Sequence, residues 1–320
     1  MSARLETQAE MLKLERLVGV DAGTFEFLEG VDAQELRDLR ERVTDSLFDA
    51  GGQALAKLGA AAKLLPSPIV ANICESSFGP LLSARAAATI DPAKAVDVAK
   101  RMSPGFLTDT TIELDPRRVA AIIAGVPADL VEPVATELGQ RAEFVTMGRF
   151  LAYMPDETLS VAMASLTDEA LLRTAFVLEQ KEHLDHALGL LEPERIAGIL
   201  RCAADGGLWP EALDLLDNIS DERRAAIAEV IAGLGDDVIS GLIAAASDAA
   251  IWDSLVPVVA AMSDDALVQL APTLTGLDAA HLRSLLDAAP KGLVDAVEQA
   301  ADRVGLHDDF TAAVARAGLE

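Results

Sequence analysis

The chain has 320 residues, 51% of them hydrophobic but only 4% aromatic, and 52 acidic against 26 basic residues give a formal net charge of −26. Such an acidic chain repels phosphate backbones, which argues against nucleic acid as a partner. Mean hydropathy is +0.28, but the sequence lacks an uninterrupted stretch of about 20 mostly apolar residues, so no membrane span is predicted.

The first 65 residues are expected to form an N-terminal helical cap. Residues Met1 to Glu15 mix charges without the apolar core of a signal peptide, so we expect a cytoplasmic protein. Two amphipathic helices are predicted, over Glu35–Phe48 and Ala54–Leu65. The apolar face of the first contains Leu36, Leu39, Val43 and Leu47. Two prolines in Pro66-Ser67-Pro68 end this segment.

From residue 66 to residue 200, an apolar residue followed by a capping residue and often by Pro returns about every twelve positions. Asp, Ser and Thr oxygens accept the unpaired N–H groups of a helix start, and Pro fits the first helical position. Each return therefore predicts the start of a short helix. The starts are Ile90-Asp91-Pro92, Met102-Ser103-Pro104, Leu114-Asp115-Pro116, Val126-Pro127, Leu138, Met154-Pro155-Asp156, Leu166-Thr167-Asp168, Leu178 and Leu191-Glu192-Pro193.

Helices this short need neighbours, because isolated helices below about 12 to 15 residues are marginal in water. Two units form a hairpin of about 24 residues, and stacked hairpins make an α-solenoid. Two irregularities are expected. Pro133 breaks the helix begun at Pro127, giving a short turn and then a fresh helix, and Gln140 to Phe150 forms an offset helix.

Residues 201 to 320 carry a longer repeat that contains both tryptophans. Ala204 to Trp209 matches Ser247 to Trp252 at an offset of 43, and a third copy begins near Ala288. An offset of 43 falls in the range of HEAT and armadillo repeats, although three or four shorter helices would also fill it. The sequence thus predicts an all-α protein of three segments, 1–65, 66–200 and 201–320, in one continuous array.

The short-helix pattern resembles the cytosolic N-terminal domain of MgtE-type magnesium transporters. The residues that carry the resemblance are Ile90 to Val96, Leu114 to Val119 and Leu166 to Leu171, within about residues 88 to 200. The chain lacks the membrane helices of the transporter, so the resemblance implies neither transport nor a magnesium ligand. It implies a cytosolic regulatory or interaction module.

Few residues form a pattern typical of a chemical site. His183 and His186, with Glu179, Glu182 and Asp185 around them, are the metal candidates, but a zinc site usually has three or four protein ligands. A polar helix surface is the alternative. Cys74 and Cys202 match no metal or redox spacing and are expected to be buried thiols. No nucleotide-binding glycine motif or nucleophile elbow occurs, so we expect no cofactor.

Three residues are candidates for binding a partner or ligand. Trp209 and Trp252 occupy equivalent repeat positions, where Trp is either an interface hot spot or a core wedge between helices. Arg149 is either a buried or ligand-clamping cation or a surface residue. Likewise, the acidic stretch from Ala225 to Leu282, which has no Lys or Arg, is either a solvated surface or a site for divalent cations or a basic partner.

The sequence therefore favours a non-enzymatic scaffold that binds another protein or regulates one. The alternative is a carrier of a hydrophobic, lipid-like ligand, because aliphatic residues are many and aromatic ones few. The expected cavity lining is Met102, Phe106, Met147, Phe150, Met154 and Met163, which would equally suit a core. An enzyme of unrecognised type is the third hypothesis.

Overall fold

Every regular element that the structure describes is helical. The computed structural model describes residues 2–49, 51–178, 180–249 and 251–318, and these ranges contain no strand. Within them, no helix is both long and apolar enough to cross a membrane. The predicted all-α fold of repeated helices is confirmed. The chain divides into two compact units, Ser2–His183 (the N-terminal unit) and Leu184–Glu320 (the C-terminal unit), while boundaries after residues 65 and 200 stay predictions.

The N-terminal unit is built mainly of short helices. They are α1 (Ser2–Val18), α2 (Ala33–Asp49), α3 (Gly52–Leu64), α4 (Ser67–Ile73), α5 (Gly79–Ala87), α6 (Pro92–Ala99), α7 (Pro104–Glu113), α8 (Pro116–Ile123), α9 (Ala128–Gln140), α10 (Phe144–Phe150), α11 (Asp156–Ala164) and α12 (Asp168–Phe176). Short 3₁₀ segments lie at Glu26–Leu28, Leu151–Tyr153 and Lys181–His183, and a π-helical turn lies at Cys74–Phe78.

Helices α3 to α12 alternate between two rows. The odd-numbered helices α3, α5, α7, α9 and α11 pack in succession, and so do the even-numbered helices α4 to α12. Helices α6 and α8 begin at Pro92 and Pro116, and α7 and α9 at Pro104 and Ala128, which in both cases is a step of 24 residues. The repeating element in this stretch is therefore a pair of short helices, as the twelve-residue spacing predicts.

Capping side chains explain where three of these helices, α6, α8 and α12, begin. The Asp91 carboxylate accepts the N–H groups of Ala93 and Lys94 at 3.1 and 3.3 Å, and Thr167 Oγ1 accepts the N–H of Ala170 at 3.2 Å. Each bond satisfies an N–H group that has no carbonyl partner inside the helix. The predicted starts at Pro92, Pro104, Pro116, Ala128, Asp156, Asp168 and Pro193 are confirmed.

The predicted turn before Pro133 is wrong, because α9 runs unbroken through this proline. Pro133 removes only one helical hydrogen bond, the one to the Asp129 carbonyl. Beyond it, Ala135 and Leu138 are buried at 6% and 4% exposure, and their packing holds the helix together. Leu138 lies inside α9, so the helix start predicted there does not exist.

The offset helix predicted over Gln140 to Phe150 is shorter than expected. Helix α9 continues to Gln140, and α10 begins only at Phe144. Between them Ala142 adopts a positive φ of 56°, a conformation that few residues other than glycine take. A turn at Ala142 thus resets the spacing before α11.

The described part of the C-terminal unit is built of ten helices. They are α13 (Leu184–Gly189), α14 (Pro193–Gly206), α15 (Trp209–Leu216), α16 (Asp221–Ala232), α17 (Asp236–Ala249), α18 (Trp252–Ala260), α19 (Asp264–Gly276), α20 (Ala279–Ala288), α21 (Lys291–Arg303) and α22 (His307–Arg316).

Three helices make one 43-residue repeat in this unit. Helices α14, α17 and α20 begin at Pro193, Asp236 and Ala279, in two steps of 43 residues, and α15 and α18 begin one such step apart. Contacts follow the same rule, because α13, α14, α15, α16, α17 and α19 each pack against the helix three places further on. Of the alternatives left by the sequence, three helices per repeat is the one observed.

Carboxylates link successive repeats. Asp185 of α13 accepts the backbone N–H and the hydroxyl of Ser220, which caps α16, at 2.9 and 2.8 Å. Glu229 of α16 does the same for Ser263, the cap of α19, at 2.7 and 3.0 Å. Some of the many acidic residues therefore hold helix starts in place.

Candidate functional site

A pocket of about 370 Å³ lies in the N-terminal unit and is bordered by α1, α2, α5, α7, α8 and α10. We call it the basic pocket, after six cationic side chains in its wall. They are Lys13, Arg16, Arg40, Arg85, Arg118 and Arg149.

The charge of the basic pocket is opposite to that of the chain. Over the whole sequence, acidic residues outnumber basic ones by 52 to 26, whereas the pocket wall holds the six cations and only Glu113 and Asp115 as acids. Five separate elements contribute these cations. A local excess of positive charge inside a strongly negative protein marks this pocket as the candidate site.

A buried ion cluster contains two residues of the wall, Lys13 and Arg40. The Glu10 carboxylate, 1% exposed, accepts the Lys13 ammonium at 2.8 Å, Arg37 Nη2 at 3.1 Å and Arg40 Nε at 3.2 Å. Burial alone would raise the pKa of Glu10, but the three cations outweigh it and hold that pKa below its ordinary value. One carboxylate thus faces three cations, and the cluster keeps an excess of positive charge.

A second cluster centres on Asp115, the N-cap of α8. Its carboxylate accepts the Arg117 backbone N–H at 3.2 Å and pairs with Arg149 at 3.6 Å. Burial acts to raise the pKa of Asp115, and the hydrogen bond and charge of Arg117 with the charge of Arg149 lower it below its ordinary value. Arg149 of α10 is thereby held in the pocket wall.

Arg118 joins α8 to α2. Its guanidinium donates to Asp45 at 2.8 Å and lies 3.9 Å from the centroid of the Phe48 ring, in a cation–π contact. The side chain is 28% exposed, so part of it faces the pocket. This dual support fixes the orientation of a cation that a ligand can still reach.

Two further cations complete the wall. Arg16 forms a two-bond pair with Glu143, at 3.0 and 3.2 Å. Arg85, half-buried on α5, forms no ion pair and its side chain makes no hydrogen bond to any residue in the described ranges. A guanidinium that is partly removed from water without an acceptor is ready to bind an anion.

Large apolar side chains share the wall with these cations. Val18, Leu47 and Leu81 are 50%, 47% and 48% exposed and come from three different helices. Leu47 belongs to the apolar face predicted for α2, where only Leu36 is fully buried, at 2%, and Leu39 is 46% exposed. Half of that face therefore points to solvent or to the pocket.

The basic pocket is not the cavity for which the sequence predicts a lining. None of the six predicted residues lies in its wall. Met147 and Met163 are buried, at 9% and 6% exposure, and Met102 and Phe106 pack on a cluster that includes Val70 and Cys74.

Of the three candidate binding residues, only Arg149 lies in the pocket wall. Trp209 is 4% exposed and begins α15, where it packs in the core, and Trp252 is half-buried at the equivalent start of α18.

His183 Nε2 lies 3.1 Å from Gln180 Oε1. Glu179, named beside His183 and His186, lies outside the described residues, and within the described ranges no three His, Cys, Asp or Glu side chains are close enough to hold a metal ion.

Sequence reasoning missed the other cations of the pocket. Lys13 and Arg16 share α1, but Arg40, Arg85 and Arg118 are far from them and from one another in sequence, and each cation is ordinary in its helix. Cys74 is buried, and its burial raises the pKa of the thiol, whereas Cys202 is half-buried.

Comparison of the chain with protein families, with curated proteins and with solved structures found no match.

Proposed function

We propose that this protein is a non-enzymatic helical-repeat protein whose N-terminal unit binds a small organic anion in the basic pocket. The observation that carries the proposal is the reversal of charge, six cations against two acids in the wall of one pocket in a chain of net charge −26.

The chemistry of the wall favours an anion. Guanidinium and ammonium groups only donate hydrogen bonds, and Arg matches the geometry of carboxylate and phosphate oxygens. Several of these cations are partly or fully buried, where charge interactions are screened less than at the surface. The volume of about 370 Å³ also falls in the range of about 300–1,000 Å³ that is typical of small-molecule pockets.

Thermal unfolding at constant ionic strength tests the proposal. A ligand that binds only the folded state raises the melting temperature, and the shift grows with the ratio of ligand concentration to Kd, so acetate and inorganic phosphate are compared with chloride. We expect phosphate or acetate to stabilise the wild type, and the Arg85→Gln variant to lose most of this gain. Arg173→Gln is the matched control, because Arg173 lies in the same unit but pairs with Glu169 outside the pocket. Equal shifts in chloride, acetate and phosphate would contradict the proposal.

A scaffold that binds another protein is the second candidate function. Nine of the ten large hydrophobic side chains exposed in the described ranges fall between Val18 and Leu81, and Phe27 and Leu64 are 77% and 86% exposed. Apolar surface of this kind marks interaction sites when it is contiguous. The resemblance to a transporter regulatory domain supports the same role.

A pull-down from native lysate tests whether these exposed apolar residues bind another protein. A stoichiometric partner retained by the wild type and lost on Phe27→Ser or Leu64→Ser would support it. Retention by both variants, or no stoichiometric partner at all, would count against it.

A further inference from the structure

We infer that the anion bound in the basic pocket is amphipathic, with a carboxylate or phosphate head and a medium-length alkyl chain. This inference rests on the proposed function and adds the apolar half of the ligand. Its basis is the position of exposed aliphatic side chains relative to the cations.

Cations and aliphatic residues alternate along the same helices of the wall. On α5, Leu81 and Arg85 are four residues apart and share a face. On α1, Lys13 and Leu17 have the same spacing, and on α2 Arg40 and Leu47 are seven residues apart. With a rise of 1.5 Å per residue, a head group and its chain contacts are separated by roughly 6–10 Å. A single ligand of moderate length therefore reaches both.

The exposed aliphatic residues of the pocket differ from other exposed apolar residues because they lie around one cavity. Leu64, 86% exposed, lies outside the wall of the basic pocket and serves as the comparison. Val18, Leu47 and Leu81 instead converge on one cavity from three helices and are each about half exposed. Half-exposed aliphatic side chains gain burial when an alkyl chain covers them, which stabilises the complex.

One cation of the pocket wall, Arg85, is paired with no carboxylate in the described ranges and is placed to receive the head group of the ligand. Arg85 has no ion-pair partner among the described residues, and Leu81 lies one turn away on α5. The three cations around Glu10 add to the positive charge. The geometry places the acid group of the ligand at Arg85, with the chain passing over Leu81 and Leu47.

Titration calorimetry on the full-length protein tests the inference with a matched ligand series. Octanoate and octyl phosphate carry both halves, acetate and methyl phosphate only the head, and octanol only the chain. Burial of a methylene group contributes about 0.8 kcal/mol, so even a partly covered chain gives octanoate at least a roughly tenfold advantage over acetate. Octanol is expected to bind at least about tenfold more weakly than octanoate, because it lacks the charge-assisted bond to Arg85.

The outcomes separate this inference from the proposed function. If acetate and methyl phosphate bind as tightly as their octyl counterparts, the amphipathic ligand is wrong while anion binding stands. If none of the anions binds, both the amphipathic ligand and the proposed anion binding are wrong. Tight binding of octanol would overturn the role of the head group, and a preference between octanoate and octyl phosphate identifies the acid.

Variants at exposed positions test the placement without disturbing the core. Leu47→Ser is expected to weaken octanoate at least about threefold and leave methyl phosphate unchanged, whereas Leu64→Ser, the control, changes neither. Arg85→Gln is expected to weaken both octanoate and methyl phosphate about tenfold or more. Circular dichroism verifies that each variant is folded. Equal octanoate affinities for Leu47→Ser and Leu64→Ser would overturn the proposed path of the chain.

Discussion

The two units are both helical repeats, but they bury and expose different residues. Twelve of the fourteen buried polar or charged residues in the described ranges belong to the N-terminal unit, as do nine of the ten exposed large hydrophobic ones. Both units bury aliphatic side chains, for example Leu178 in the N-terminal unit and Leu255 in the C-terminal unit, each 1% exposed, but the buried interior of the C-terminal unit contains only two polar residues among those described. A repeat that only packs needs an apolar interior, and three of the buried polar residues of the N-terminal unit, Lys13, Arg40 and Thr146, line the basic pocket.

The repeats also differ in how many helices they contain. In much of the N-terminal unit, the repeating element is a pair of helices, and successive pairs begin 24 residues apart. In the C-terminal unit it is a triplet of helices, and successive triplets begin 43 residues apart. Both tryptophans of the chain are in the C-terminal unit. Tryptophan fluorescence therefore follows that unit, far-UV circular dichroism follows both, and the two signals together assign an effect to a unit.

Replacing the buried carboxylate of the N-terminal unit is expected to have the largest effect. Glu10→Gln leaves the ammonium of Lys13 and the guanidinium of Arg40 buried beside a neutral group. Breaking a buried charge pair in this way costs about 3–5 kcal/mol of unfolding free energy. Urea unfolding measures the loss. The control Glu169→Gln, at an exposed ion pair with Arg173, is expected to cost about 0.5 kcal/mol or less. Similar losses for the two variants would contradict a charge-dependent interior.

Removing a fully buried aliphatic side chain is expected to destabilise the C-terminal unit. Leu255→Ala creates a cavity at a fully buried position and is expected to cost about 3 kcal/mol, with a shifted tryptophan transition. The same change at Leu64, 86% exposed, is expected to stay within about 0.5 kcal/mol. A Leu255→Ala variant as stable as the wild type would show that the core assigned to this unit is wrong.

Acid is expected to destabilise the N-terminal unit first. The pKa values of Glu10 and Asp115 lie below their ordinary values of 4.5 and 3.8, so the unfolded chain binds protons at a higher pH than the folded one. Their stabilisation is complete above those ordinary values and is lost as the pH falls through the lowered ones.

In the C-terminal unit, Asp185 and Asp278 also have lowered pKa values, owing first to backbone N–H bonds from Ser220 and His281. Asp185 is half-buried and Asp278 is exposed, and solvent screens both carboxylates, so their effect is small. On lowering the pH from 6 to 3, circular dichroism should therefore change before tryptophan fluorescence. The opposite order would contradict the assignment of buried charge.

A cap that links repeats of the C-terminal unit should show the smallest effect. Ser263→Ala removes the hydroxyl that accepts the Ala266 N–H and donates to Glu229, with an expected cost of about 1 kcal/mol. Thermal unfolding followed by tryptophan fluorescence measures it. Ser263→Asp restores an N-cap acceptor but not the donation to Glu229, and full recovery by it would show that capping alone matters.

Sequence reasoning succeeded where structure is local. Asp91, Asp115 and Thr167 cap the helices that follow them, so their spacing predicted the helix starts, and the repeat of Trp209 at Trp252 predicted the 43-residue step. It failed at Pro133, where packing of Ala135 and Leu138 outweighs the loss of one hydrogen bond. The basic pocket could not be predicted, because Lys13, Arg40, Arg85, Arg118 and Arg149 meet only after the helices pack.

The most direct test of the binding account is photoaffinity labelling with an octanoate analogue that carries a diazirine at the end of its chain. After irradiation of the full-length protein, peptide mapping by mass spectrometry locates the attached residues. The account predicts labels on α1, α2 or α5, at or next to Val18, Leu47 and Leu81, that excess octanoate removes and Arg85→Gln reduces. Labels spread through the C-terminal unit, or labels that excess octanoate leaves unchanged, would contradict it.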